Sequence, residues 1–154
     1  MVVVLSAEQA AFVQGDVTIL LASRDERLVC DVVRVFGAAV DTDRTLITLY
    51  LPDAASKRTL ANAEKHPRLA VVFASALDYR TLQIKGTCTG VRPANGADLA
   101  VVQRYLEALR AMLQKVGLLP EFASRWVPLP CTALDLRAEE IYRHTPGLGV
   151  EGRP

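Results

Sequence analysis

At 154 residues the chain lies in the size range of one domain able to bury its own core. With 51% hydrophobic and 23% charged residues it is too apolar to be disordered and too evenly charged for an integral membrane protein. Eighteen Lys plus Arg against 17 Asp plus Glu leave a formal charge of +1, so no broad positive field exists to attract a polyanion, and nucleic acid is not an expected partner.

The opening Met-Val-Val-Val-Leu is apolar but carries no basic leader or cleavage site, and no apolar run approaches the roughly 18 to 20 residues that span a bilayer. The expectation is a cytoplasmic protein with no membrane partner. Cys30, Cys88 and Cys131 are odd in number, far apart and without C-x-x-C spacing, so they read as buried free thiols in strands and not as disulfides or a metal knuckle.

In chain order, Ser6 and Gln9 form a capping-box pattern ahead of Ala10, Phe12 and Val13, with Leu5 as staple, which predicts a helix over about 6 to 14. Val17 to Ala22 and Val29 to Phe36 are β-branched and aliphatic, and the charged turn Arg24-Asp25-Glu26-Arg27 makes them a hairpin. A second turn, Asp41 to Arg44, leads into Thr45-Leu-Ile-Thr-Leu-Tyr-Leu51, a strand that ends at Pro52. Residues from about 54 to 66 read as a helix closed by Pro67, and Leu69 to Ala74 as a buried central strand. Arg80 to Val91 and Thr132 to His144 supply two long strands. Between them a helix over about 97 to 116 carries the stripe Leu99, Val102, Leu106, Leu109, Leu113 and Val116, which predicts packing over the sheet. Residues 147–154 read as a frayed tail. The whole chain, 1–154, is thus one α+β domain: an antiparallel β-barrel of about six strands with flanking helices. Consecutive strands without intervening helices argue against a doubly wound parallel sheet.

Local rules are broken in three places. Lys57 and Arg58 fall in the expected first turn of the middle helix, where the backbone already presents positive charge. An anion held by the free N–H groups, the Ser56 hydroxyl and both cations would resolve that conflict, as would two side chains simply reaching into water. Along Arg80 to Gly86, alternation places Thr81, Gln83 and Lys85 in one polar row, suited either to the carbonyls of a planar heterocycle or to solvent. Arg34, among Val32, Val33, Val35 and Phe36, must reach solvent or an anion.

The capped first helix, the hairpin ending Val-Val-Arg-Val, the strand Leu-Ile-Thr-Leu-Tyr-Leu, the helix start Ser-Lys-Arg-Thr-Leu-Ala-Asn, then His-Pro-Arg-Leu-Ala-Val-Val-Phe and Arg-Thr-Leu-Gln-Ile-Lys-Gly follow one another in an order that resembles the pyridoxamine 5'-phosphate oxidase-like superfamily of split barrels that bind flavin mononucleotide (FMN). The resemblance covers most of the chain. It implies a split barrel, FMN as cofactor, and a homodimer with the flavin at the interface. It places Arg34, Lys57 and Arg58 around the phosphate with Ser56 assisting, the backbone of Leu51 and Pro52 against the flavin, and Thr81 and Gln83 reaching the cofactor across the dimer. It implies an oxidoreductase acting on a small molecule. The superfamily also leaves open a non-catalytic flavin or haem binder and a deazaflavin-dependent reductase.

Thr81 stands where the family's oxidase proper has glutamine, and Val29 where it has a strand arginine. The arginine-rich C-terminal motif of that oxidase has no counterpart around Tyr142 to Pro146, which argues against pyridoxamine phosphate as substrate. No acid–base pair, nucleophile elbow, P-loop or metal motif is present, in keeping with chemistry carried by a cofactor. His66 and His144 read as a helix-end residue and a surface residue, and Trp126 as a partly buried anchor ahead of the last strand.

Overall fold

A computed structural model describes residues 1–145, so the expected tail lies outside the described residues. Their elements are α1 (Ala7–Val13), β1 (Thr18–Arg24), β2 (Cys30–Val35), β3 (Ala38–Val40), β4 (Leu46–Pro52), α2 (Asp53–Lys65), β5 (Arg68–Ala74), β6 (Thr81–Pro93), α3 (Gly96–Lys115), α4 (Pro120–Ser124) and β7 (Cys131–Arg143). The predicted start of the chain is realised in full. Ser6 Oγ accepts from Gln9 N at 3.1 Å, Ser6 N donates to Gln9 Oε1 at 2.8 Å, and Leu5 is fully buried beneath the cap.

The class is α+β and every strand pairing is antiparallel, in the order β2-β1-β5-β6-β7-β4-β3. Seven strands replace the expected six or so. The added one, β3, is too short to announce itself and becomes a strand only by pairing Ala38 with Leu49 and Val40 with Ile47. The sheet curls without closing into a continuous ladder. Its two edges, β2 and β3, are halves of one stretch joined by Phe36 and Gly37. At that joint Phe36 N donates to Tyr50 O (2.9 Å) and Tyr50 N donates to Gly37 O (3.2 Å). Gly37 adopts φ 126°, a conformation that side chains disfavour.

Strand alternation sends Ile19, Leu21, Val33, Val35, Ile47, Leu49, Val71, Phe73, Leu82, Ile84, Leu134 and Leu136 into the core. Cys131 is buried and Cys88 half-buried, but Cys30 is exposed, contrary to the reading of three buried thiols. It opens an edge strand on the outer face. Among the described residues no helix is long and apolar enough to cross a membrane.

On α3 the buried face is Asp98, Val102, Tyr105, Leu109 and Met112, and Leu99 and Val116, both assigned to the stripe, are each 40% exposed. The face is rotated because two of its members are polar residues satisfied by hydrogen bonds. Tyr105 Oη donates to Val17 O at 2.7 Å. Tyr50 Oη donates to Asp98 Oδ1 at 2.9 Å, and Arg92 grips the same carboxylate through both terminal nitrogens. The Arg92 guanidinium, with help from Asn95 N–H and Tyr50, holds the Asp98 carboxyl at a pKa of about 2. A depressed carboxylate contributes stability that is full above its unfolded value and is lost as pH falls through the folded one. Asp98→Asn is therefore expected to cost about 1 to 3 kcal/mol at pH 7. It should also remove part of the wild type's loss of stability between pH 4 and pH 2, read from urea midpoints across that range. A variant as stable as wild type would show that this latch does not fasten α3.

Candidate functional site

The outer face of the sheet carries the strand residues singled out from the sequence, Arg34, Thr81 and Gln83. Pairing register draws one straight row across five strands, Arg34 to Leu20 to Val72 to Gln83 to Tyr142. A parallel row holds Val32, Ala22, Ala70, Lys85 and Glu140. Leu20 and Val32 are 39% and 58% exposed, so this is a floor of small and aliphatic side chains open on its outer side. A cation stands at one end and polar side chains at the other. Three strand intervals separate Arg34 from Gln83, about 14 Å at ordinary sheet spacing.

Arg34 is the most unusual residue of the row. Its guanidinium lies under the indole of Trp126, 4.6 Å from the ring centroid, and Phe36 meets the same indole edge-on at 5.9 Å. Arg34 Nη1 is buried with no hydrogen-bond partner, alone in this among the side-chain atoms of the described residues. An orphaned N–H of a charged group is costly to leave unmade, and it marks a place where an acceptor oxygen would fit.

At the other end, Gln83 Oε1 lies 3.2 Å from His144 Nε2, Lys85 Nζ lies 4.9 Å over the Tyr142 ring, and Tyr142 hydrogen-bonds Glu140, which raises the phenol pKa. His144 is an exposed neighbour of Gln83, a role its position near the chain end did not signal. Thr81 Oγ1 donates to Tyr79 O at 3.1 Å, so its proton is committed to the turn before the strand.

The middle-helix residues are arranged differently from their expected geometry. α2 begins at Asp53, where Pro52 N-caps it without a side-chain bond, so Lys57 and Arg58 are its fifth and sixth residues and lie beyond the free N–H groups of the first turn. Asp53 supplies the acidic charge that this helix end favours. Ser56 is fully buried and its Oγ donates to Pro52 O at 2.6 Å. Leu51 and Pro52 are buried in β4, paired with Thr132 and Cys131. Lys57 and Arg58 are exposed, and Arg58 Nη2 comes within 3.7 Å of Asp25 Oδ2 in the β1–β2 turn, where the backbone N–H of Val29 first, then that of Arg27 and the Arg58 charge, hold the Asp25 carboxyl below the usual carboxylate range. That turn adjoins Cys30, four residues along β2 from Arg34, or about 13 Å of strand. Arg58 thus stands beside Asp25, and Arg34 beneath Trp126. Among the described residues no group of three or more His, Cys, Asp or Glu could hold a metal ion.

This curled sheet with its rows of outer-face residues has the fold of the pyridoxamine 5'-phosphate oxidase-like split barrels. Solved structures that share it include HupZ of Group A Streptococcus, at 12% identity over 93% of this chain and 97% of that one (TM-score 0.58). An F420 reductase is similar at 15% identity over 85% and 93% of the two chains (TM-score 0.57), and a candidate pyridoxamine 5'-phosphate oxidase from Lactobacillus delbrueckii at 14% over 90% and 93% (TM-score 0.57). At such identities the fold is what is shared. No protein-family model and no curated protein matches the sequence.

Proposed function

We propose that the protein is a flavin-binding oxidoreductase that holds FMN on the outer face of β2, β1, β5 and β6, where a second copy of the chain covers it. The observation that carries this reading is the buried, unpartnered Arg34 Nη1 at the cationic end of an apolar floor whose far end is polar. The residues fit the group. Arg34 would take the phosphate, Leu20 and Val72 would lie under the planar ring system, and the Gln83 carboxamide would meet its polar edge. Lys57 and Arg58, exposed and farther along the same edge, would add long-range attraction for the dianion. Ser56 would brace the start of α2 without giving its proton to the ligand.

Bound flavin would supply the electron transfer, and the chain's own residues would bind and orient it and shield it from water. The substrate class is a small molecule reaching the exposed side of the ring. Similarity to an F420 reductase supports a deazaflavin as the alternative cofactor, and a non-catalytic binder would use the same floor.

Absorption and mass of the ligand released from freshly purified protein separate these readings. Bleaching of bound flavin by a reduced nicotinamide supports an enzyme, and a protein that neither carries nor takes up FMN sinks the proposal. Replacing Lys57 and Arg58 together with alanine is expected to weaken FMN only several-fold, since exposed charges contribute about 0.2 to 1 kcal/mol each, and to leave riboflavin unchanged. The two affinities, measured by flavin fluorescence titration at low and high salt, check this. Equal losses for both ligands would remove these cations from the phosphate's surroundings.

A further inference from the structure

The residue that covers Arg34 belongs to a lightly anchored part of the chain. Between residues 118 and 129 the backbone hydrogen bonds close locally or onto the end of α3: Leu118 N to Leu113 O, Phe122 N to Leu119 O, Trp126 N to Ala123 O. Leu118, Leu119, Phe122, Val127 and Leu129 are all exposed, whereas Ala123 is buried and Trp126 half-buried. The segment is thus a strap held chiefly at Ala123 and at the indole resting on Arg34 and Phe36. Segments with few buried contacts and few outside hydrogen bonds open most easily.

The indole meets the charge of the guanidinium through its π face but offers the buried Nη1 no acceptor. An incoming phosphate oxygen would satisfy Nη1 and needs the space the strap fills. We infer that Trp126 is a displaceable cover: seating of the indole and binding of a phosphate-bearing ligand at Arg34 are mutually exclusive, so the strap lifts when the ligand arrives. This rests on the reading that Arg34 takes a phosphate. A closed strap then competes with the ligand, lowering apparent affinity by the fraction of molecules in which Arg34 is free.

Trp126 is the only tryptophan in the chain, so its emission reports the strap directly. Arg125, exposed beside it, gives trypsin a cleavage point within the strap. Wild type, Trp126→Ala and Trp126→Phe are compared in stopped-flow binding of FMN. Wild type saturated with inorganic pyrophosphate is followed by tryptophan emission and by mass spectrometry of the fragment ending at Arg125. The expected results are FMN association about fivefold or more faster and affinity several-fold tighter in Trp126→Ala, with Trp126→Phe between. Pyrophosphate should shift wild-type emission to the red and speed the Arg125 cut about fivefold. Slower or weaker FMN binding by both variants, or a cut that pyrophosphate leaves unchanged or slows, overturns the cover. Should wild type bind no FMN, the flavin assignment falls while the pyrophosphate arm still decides the cover: a red shift with faster cutting upholds it, and neither overturns it.

Discussion

Gly86→Ala is expected to be the most damaging single methyl that can be added to this protein. Gly86 sits in the middle of β6 at a register irregularity against β7, between the Lys85–Glu140 and Gly86–Ala138 pairs. A Cβ there would lie 2.0 Å from Arg137 O and 2.9 Å from Arg137 C, which are backbone atoms that no rotamer change can move aside. The ladder on either side ties β6 to β5 and β7, so relief requires shifting the centre of the sheet. Overpacking of this severity belongs at or beyond the upper end of the usual range, about 3 kcal/mol or more. For a chain of this size that corresponds to a fall in Tm of roughly 6 to 12 °C. Calorimetry or urea unfolding checks it, with Gly96→Ala as control, because nothing lies within 4 Å of a Cβ at Gly96. A Gly86 variant within 1 kcal/mol of wild type would mean that the two strands do not approach as closely as described.

Arg34→Ala is expected to have the largest effect on binding. A hydrogen bond to a charged group contributes about 1.5 to 3 kcal/mol, so loss of this side chain should weaken FMN by about 10- to 150-fold. Riboflavin, which lacks the phosphate, should be affected little. Arg34→Lys should recover only part of the loss, because an ammonium does not offer a phosphate the paired donors of the planar guanidinium fork. Isothermal titration with both ligands measures the split. An equal loss for the two would move the phosphate away from Arg34. An FMN loss larger for the Lys57 and Arg58 double variant than for Arg34→Ala would restore the helix start as the main grip.

Elements fixed by short-range rules were legible in the residues. The Ser6 and Gln9 cap and the hairpin around Arg24 to Arg27 both follow from contacts within a few positions. The class of fold followed from their order. What could not be read were features made by distant parts of the chain. Ala38 to Val40 is a strand only because β4 accepts it. The face of α3 is rotated because Tyr50 and Arg92 make Asp98 a tolerable buried group, whereas a count of aliphatic residues favours Leu99 and Val116. Cys30 looked interior by composition, but its place at the start of an edge strand turns it outward.

The candidate site divides in the same way. Arg34, Thr81 and Gln83 could be singled out because a strand's alternation is local, and the row that joins Arg34 to Gln83 stands on the register of neighbouring strands. That Trp126 would settle on Arg34 was not legible, nor that Asp25 would approach Arg58, since each partner comes from a different turn of the fold. The helix start at Asp53 also moved Lys57 and Arg58 one residue farther from the backbone donors than the pattern from 54 onward implied.

The link formed by Phe36 and Gly37 limits how this sheet can vary. Because a single run of chain supplies both rims of the sheet, the length of that link fixes the register of one rim relative to the other. Adding one residue there would invert the inside and outside of whichever half slipped, sending Arg34 into the interior or Val40 and Ala38 to the opposite face.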